Sequence, residues 1–359
     1  MTYKMEDINS FNIGRLEKMI DESRRIGIVT HMKPDGDAIG SCTALYHYLK
    51  ACGKSSVKVI LNDRHPAYLD FLADSIPTSD LIISAEMPQE AHILLRDSDL
   101  IFCLDFNAFH RADSLEKALT ESKADKILID HHLNPKREDF DLTFSETDIS
   151  SASELLYSVL IETRRIAHDP SALPPMSATA LMTGMTTDTN NFANSTFPST
   201  LKMASALLTT GVDRDHILMQ IYNRYSENRI RLMGHVLKDL MTVTEDGVAY
   251  IILDRRTLEE YDIKEGDTEG FVNIPLSIDN VRMSFLIKED EGKARVSIRS
   301  KRGTSANRCA VLYFNGGGHE NAAGGKLLIP ENIKGMEDAA EYIERHTHIF
   351  LKEENGQKE

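Results

Sequence analysis

The sequence predicts an α/β fold: an N-terminal doubly wound parallel-sheet domain, joined through a helical linker to a smaller α/β domain. Three observations carry this. Short apolar runs alternate with helix-like stretches up to about residue 190. Three of those runs end directly on residues able to bind a metal, His31, Asp105 and Asp130. From Val248 onward the texture changes to strand-like pieces in which polar and apolar residues take turns.

The runs at 26–30, 57–61, 100–104 and 126–129 are compact and rich in Ile, Leu and Val. Such runs fit strands buried on both faces of a parallel sheet. Helix-like stretches such as 39–51 and 153–165 lie between them, and alternation of this kind argues for a doubly wound domain. Ligands of such sheets bind beyond the carboxyl ends of the strands. Residues 200–243 read as mainly helical, followed by strand-like pieces at 248–253, 281–287 and 294–298. A helix-like stretch at 307–314, a glycine-rich segment at 316–325 and a helix at 336–351 come next. The charged tail after it is expected to fray. The resulting division is 1–210 for the first domain, 211–245 for the linker and 246–359 for the second domain.

Composition narrows the function classes. Hydrophobic residues at 41% and charged residues at 27% are ordinary for a globular chain with its own buried cores. Lys and Arg total 41 against 56 for Asp and Glu, a net charge of −15. A surface that grips long nucleic acid is usually basic, so long polymers and long duplexes are disfavoured as partners. A small phosphate ligand stays compatible if metal ions and a few arginines concentrate positive charge locally. The cysteines Cys42, Cys52, Cys103 and Cys309 form no CxxC pair, which leaves neither a disulfide framework nor a zinc knuckle. The first residues, MTYKMEDINSFNIGRLEKMI, lack the apolar core of a signal peptide. No apolar run approaches the roughly 20 residues that span a bilayer. A cytoplasmic protein with no membrane partner is expected.

Four segments carry candidate metal chemistry. The first, THMKPDGDAIGS from Thr30 to Ser41, places His31, Asp35 and Asp37 on a loop between a strand and a helix. Imidazole with carboxylate suits Mn, Fe or Zn, although an Asp in such a loop can equally cap the helix. The second is Asp105, directly after the run 100–104. The third is Asp130-His131-His132 at the end of the run 126–129. A metal-bound His needs an orienting carboxylate or carbonyl, and a second His can meet substrate. The fourth is Asp188, in Thr186-Thr187-Asp188-Thr189 after the helix-like 178–185. Alone, a lone Asp at a strand or helix end is most simply a turn cap. Together the segments supply enough ligands for two metal ions about 3.5–4 Å apart, which lower the pKa of a bridging water and stabilise phosphoryl charge.

The second domain adds NGGGHENAAGG, from Asn315 to Gly325. Glycines let backbone N–H groups approach a phosphate, and His319 could donate to one of its oxygens. Arg299 closes the strand-like VSIRS, and guanidinium forks bind phosphate bidentately. Arg282, Lys301 and Arg302 nearby fit ordinary solvated charges.

The order HMKPDGD, D, DHH, TDT and GGGHENAAGG resembles the DHH phosphoesterase superfamily with a C-terminal DHHA1 domain, over nearly the whole chain. Within it, the length and the THxxPDGDAxGS start are most similar to the bacterial oligoribonuclease and pAp-phosphatase branch, the nano-RNases. The resemblance implies one metal on His31, Asp35 and Asp105 and a second on Asp37, Asp105, His131 and Asp188, with Asp105 bridging. It implies His132 on the scissile phosphate, Asp130 behind it, and Arg299, Ser300, Gly316, Gly317, Gly318 and His319 as substrate-binding residues. The implied cofactor is Mn²⁺, two per site, with Mg²⁺ or Co²⁺ as substitutes. The implied substrates are RNA oligonucleotides of about 2–5 nucleotides and pAp, releasing mononucleotides and removing the 3′-phosphate. Two departures stand out: Asn190-Asn191 where the family often has Gly after Thr189, and Asn315 where it often has a further Gly. Neither removes a ligand, and Asn tolerates left-handed backbone.

Competing expectations are a single-strand exonuclease, a linear or cyclic dinucleotide phosphodiesterase, and a non-catalytic nucleotide sensor that kept the fold. A sensor would be marked by lost ligands, and none of the six is lost. A homodimer is left open.

Overall fold

The computed structural model of the chain describes residues 6–223, 225–264 and 266–356. They form two compact units, Met1–Arg224 and Tyr225–Glu359.

The first unit is built on β1 (Arg25–Val29), β2 (Ser56–Leu61), β3 (Leu81–Ile83), β4 (Leu100–Leu104), β5 (Asp125–Asp130) and β6 (Leu142–Ser145). Their order is β3-β2-β1-β4-β5-β6, with every pairing parallel. The chain therefore winds one way from β1 to β3 and the other way from β4 to β6. The crevice at that reversal, beyond the ends of β1 and β4, is where such sheets place a ligand. The central strands read as unbroken apolar runs because both faces are covered. Phe102, Leu104, Ile28 and Ile127 join one apolar core, whereas Ile101, Cys103, Val29 and Leu128 join a second on the opposite face. Burying each such side chain contributes about 1.5–3 kcal/mol.

The covering helices include α1 (Ser10–Glu22), α2 (Gly36–Ala51), α3 (Pro88–Asp97), α4 (Ala152–Ile161), α5 (Pro175–Asp188), α6 (Pro198–Thr209) and α7 (Arg214–Tyr222). Helices α2 and α5 cross at backbone contact. A Cβ on Gly40 would stand 2.7 Å from the Ala180 carbonyl and 2.9 Å from Gly184 Cα. This crossing carries the start of α2 to the end of α5, which is what positions the site. The four expected strands coincide with β1, β2, β4 and β5 to within a residue at each end. Strands β3 and β6 are only three and four residues long, too short to show as runs in the sequence.

The second unit holds α8 (Glu227–His235), β7 (Met241–Val243), β8 (Val248–Leu253), β9 (Met283–Asp290), β10 (Lys293–Ser300), α9 (Ala306–Tyr313), β11 (Gly317–Gly318), β12 (Ala322–Leu328) and α10 (Ala339–Gly356). The sheet order is β11-β12-β10-β9-β8-β7, antiparallel except for β8 with β9. Along β10, buried Ala294, Val296, Ile298 and Ser300 alternate with more open neighbours, the period-2 pattern of a half-buried strand. Their core includes Phe285, Phe314 and Phe350.

The glycine-rich segment 316–325 forms β11, a tight reversal and the start of β12. The stretch 211–245 is divided, with α7 in the first unit and α8 in the second. Helix α10 takes the first part of the charged tail; the tail's last residues, 357–359, and the N-terminal residues 1–5 lie outside the described residues. Among the described residues no helix is long and apolar enough to cross a membrane. Cys42, Cys103 and Cys309 are buried and Cys52 is half-buried, all as free thiols.

Candidate active site

The carboxyl ends of β1, β4 and β5 and the end of α5 bring His31, Asp105, His131 and Asp188 together, with Asp35 and Asp37 at the start of α2. Asp105 is the centre. Its Oδ2 lies 3.4 Å from His31 Nε2 and its Oδ1 3.4 Å from His131 Nε2, so each carboxylate oxygen faces a different imidazole. The residue is buried and adopts φ 61°. A left-handed backbone costs on the order of 1 kcal/mol in an L-residue and persists where its surroundings over-determine it; here the Asp105 N–H donates to the Ile129 carbonyl at 3.1 Å. On the other side, His131 Nε2 is 3.4 Å from Asp188 Oδ2 and 3.9 Å from Asp37 Oδ2. Asp35 Oδ1 is 3.9 Å from His31 Nε2, while also accepting the N–H groups of Asp37 and Ala38 as the cap of α2. The capping and ligand alternatives for Asp35 are therefore compatible.

Charge explains what this arrangement needs. Burial, joined by the charges of Asp105 and Asp188, pushes the Asp37 carboxyl well above its usual range. Burial also pushes Asp188 upward, against the pull of His131. For Asp105 burial acts in the same sense, yet hydrogen bonding to His131 and His31 outweighs it and carries its pKa well below the usual value. Burial would lower the two imidazoles, but their contacts with Asp105 prevail: His131 is driven well up and His31 up to about 9. His31 Nδ1 lies 2.8 Å from the Met32 carbonyl. A carbonyl only accepts, so Nδ1 carries the hydrogen and Nε2 offers its lone pair toward Asp105. A lone pair facing a buried carboxylate needs a cation between them, either a proton or a metal. Two groups, His31 with Asp35 and Asp105, and Asp37 with Asp105 and His131, each bring ligand atoms within 4.8 Å of one another. These donors fit metal ions that accept mixed nitrogen and oxygen ligands.

Beside them, Asp130 Oδ1 accepts from His132 Nδ1 at 2.7 Å, and Asp130 is fully buried. The pairing fixes the ring and its proton, leaving Nε2 for another partner.

In the second unit, the close approach of β11 and β12 depends on glycine. A Cβ on Gly316 would stand 1.9 Å from the Gly324 carbonyl. The turn is closed by His319 N–H to the Ala322 carbonyl at 2.7 Å, and His319 with Gly317 and Gly318 is half-buried. Arg299 is half-buried on the neighbouring β10, with Nη1 2.9 Å from the Ile298 carbonyl. Ser300 faces the other way. Its hydroxyl donates to the Thr304 carbonyl at 2.6 Å and accepts from Asn321 at 3.0 Å, which commits it to the turn after β10. Adjacent strand residues point to opposite faces, so Arg299 and Ser300 do not share one.

Residues 25–185 match the DHH family, N-terminal domain, and residues 246–345 match the DHHA1 domain. A bifunctional oligoribonuclease and PAP phosphatase NrnA of Thermus thermophilus is 32% identical over 305 residues, 84% of each chain. The protein of the same description from Bacillus subtilis is 26% identical over 299 residues, 83% of this chain and 87% of that one. The chain belongs to the DHH family. Among solved structures, an exopolyphosphatase-related protein from Bacteroides fragilis superposes with a TM-score of 0.87 at 37% identity, covering 98% of this chain and 100% of that one.

The departures from the DHH pattern keep the backbone that glycine would allow. Asn190 and Asn191, just after the Asp188-Thr189 end of α5, have φ 45° and 57°, and Asn315 has φ 46°. Three further contributors are not evident from the motifs. Ala152 N–H and Ser153 N–H, at the start of α4, donate to Asp37 Oδ2 and Oδ1 at 2.6 and 2.9 Å. Asn307, at the start of α9, accepts the Gly318 N–H at 2.9 Å. Backbone donors leave little trace in a sequence; the one available trace is the Ser151-x-x-Glu154 spacing of a helix start.

Proposed function

We propose that this DHH-family chain is a metal-dependent phosphoester hydrolase that cleaves very short oligoribonucleotides to mononucleotides and removes the 3′-phosphate of pAp. The observation that carries the proposal is Asp105, buried with one oxygen toward His31 and the other toward His131, in a chain whose relatives are named for these two activities over most of their length.

His31, Asp35 and Asp105 would hold one Mn²⁺, and Asp37, Asp105, His131 and Asp188 a second. When bound, the ions would acidify a water and offset charge on the phosphoryl oxygens. The protein's own residues do the rest. Asp130 accepts from His132 Nδ1, which orients the ring so that, when both nitrogens carry a proton, Nε2–H can donate to a phosphate oxygen. Arg299 would supply a guanidinium, and the His319 ring a further donor, for a terminal phosphate. Recognition of one end favours a short substrate, and the net charge of −15 disfavours tracking along a long one.

The deciding experiment is Mn²⁺-dependent turnover of pAp, a linear dinucleotide, an RNA of about five nucleotides and one of about 24, with Asp105→Ala and His131→Ala as controls. Turnover of pAp and the short RNAs, lost in both variants, is expected. Preference for the longest RNA would overturn the short-substrate assignment. Undiminished turnover in either variant would overturn the assigned metal centre.

A further inference from the structure

The Asp37 carboxylate receives two backbone N–H groups from the first turn of α4, and Glu154 on that turn makes an unusual set of contacts. Its side chain is 1% exposed, with no Lys, Arg or His among its ion-pair partners in the described residues. Oε2 accepts the Ser150 N–H at 3.1 Å, the Ser150 hydroxyl, and the Thr200 hydroxyl at 2.7 Å. Thr200, on α6 and fully buried, in turn accepts the Phe197 N–H at 3.1 Å. The Ser151 hydroxyl caps the same turn by accepting the Glu154 N–H at 3.0 Å. One buried carboxylate therefore ties three pieces together: the segment entering α4, α4 itself, and the segment that leads from Asp188 into α6.

Both tied segments adjoin candidate ligands. Ala152 and Ser153, which hold Asp37, lie between Ser150 and Glu154 in the chain. Phe197 and Thr200 end the loop that begins at Asp188. Holding a carboxylate in a low-dielectric site is costly unless its hydrogen bonds are met, and Glu154 Oε1 is buried with no hydrogen-bond partner among the described residues. A helix cap alone needs only the Ser151 hydroxyl, which is present.

We propose that Glu154, acting with Thr200, is a positioning residue for the metal centre: it sets the first turn of α4 so that Ala152 and Ser153 hold Asp37 in its ligand orientation. The inference rests on the metal-centre assignment above. Removing the carboxylate outright would leave buried donors unpaired and invite misfolding, so conservative variants test it. Metal-free parent, Glu154→Gln, Thr200→Val and Thr200→Ser proteins are titrated with Mn²⁺ by calorimetry, and each metal-free protein is also melted.

Glu154→Gln and Thr200→Val should weaken Mn²⁺ binding about 10-fold or more, the scale on which residues behind metal ligands act. Thr200→Ser, which keeps the hydroxyl, should restore parental affinity. In turnover, KM for pAp should stay near parental in each variant while the Mn²⁺ concentration for half-maximal rate rises. Parental affinity in both Glu154→Gln and Thr200→Val, even with a lowered melting temperature, would make the cluster ordinary core packing and overturn the inference. Equal loss in Thr200→Val and Thr200→Ser would overturn it too, because the hydroxyl would not be the operative group. Absence of Mn²⁺ binding by the parent would instead overturn the metal assignment beneath it.

Discussion

The two ends of α2 face acidic groups in opposite electrostatic situations. At the start, Asp37 sits with Asp105 and Asp188, and its carboxyl is pushed well up by burial and by those neighbouring charges. Near the other end, Asp80 is met by Lys50 at 3.1 Å, Lys58 at 2.9 Å and the Tyr46 hydroxyl at 2.7 Å. Burial pushes Asp80 up as well, but the hydrogen bonds from Tyr46, Lys58 and Lys50 win and bring it to about 2. One end of the helix thus faces a single carboxylate that the protein neutralises itself, and the other a carboxylate cluster that the described residues answer with imidazoles and backbone N–H groups. The second needs a cation from outside to be comfortable when ionised. That asymmetry, more than the count of carboxylates, makes Asp37 and its neighbours a group that could hold a metal ion.

The largest test of the contrast is steric. Gly184 on α5 lies so close that a Cβ there would be 2.0 Å from Ser153 Oγ and 2.8 Å from Asp37 Oδ1. Gly184→Ala should force Asp37 and the first turn of α4 apart. Displacements of this size near a reacting centre cost about 100-fold in turnover, and overpacking costs about 1–3 kcal/mol of stability. Mn²⁺ affinity should fall with activity, while Asp80 and its partners keep their environment. Parental turnover in Gly184→Ala would show that the seat of Asp37 is looser than the contact implies.

What the sequence disclosed of this arrangement followed from local chemistry. His31, Asp105 and Asp130 each follow an apolar run that fits a buried strand, and a polar residue at such a point is conspicuous. The long-range pieces left no comparable mark. Nothing in Ala152 or Ser153 advertises a backbone donor, and Asp80 and Lys50 become partners only after β2 and β3 pair. In the second unit, glycine by itself disfavours strands, yet the segment 316–325 forms β11 and the start of β12, with a reversal so tight that a Cβ on Gly316 or Gly318 would collide with the facing backbone. That Ser300 and Arg299 face opposite ways was legible from parity: Ser300 shares the even-numbered, buried face of β10 with Val296 and Ile298, whereas Arg299 does not.

A smaller effect should come from adding a divalent cation. Anything that binds the folded state alone stabilises it by about 2.7 kcal/mol at 100 times its dissociation constant. Mn²⁺ added to chelator-treated protein should therefore raise the melting temperature of the first unit by several degrees. In Asp105→Ala the shift should shrink or vanish, because both proposed metal positions share that residue. An equal shift in the parent and in Asp105→Ala would place the stabilising metal elsewhere and break the comparison between the two ends of α2.

The smallest effect belongs to the self-neutralised end, and its sign is fixed. Asp80 has a folded-state pKa of about 2 against about 3.9 in an unfolded chain. A depressed carboxyl pKa adds stability that is fully present above the unfolded value and disappears as pH falls toward the folded one. Stability should therefore decline from about pH 5 to pH 2 through this group. Because Asp80 lies near the surface, solvent screening limits the contribution to about 1 kcal/mol. The measurement is urea unfolding across that range for the parent and Asp80→Asn, with Mn²⁺ absent so that only protein charges act. The difference between the two proteins should be greatest near neutrality and close at pH 2. A pH-independent difference would mean that Lys50, Lys58 and Tyr46 hold Asp80 by packing geometry rather than by charge, and the electrostatic half of the comparison would fail there.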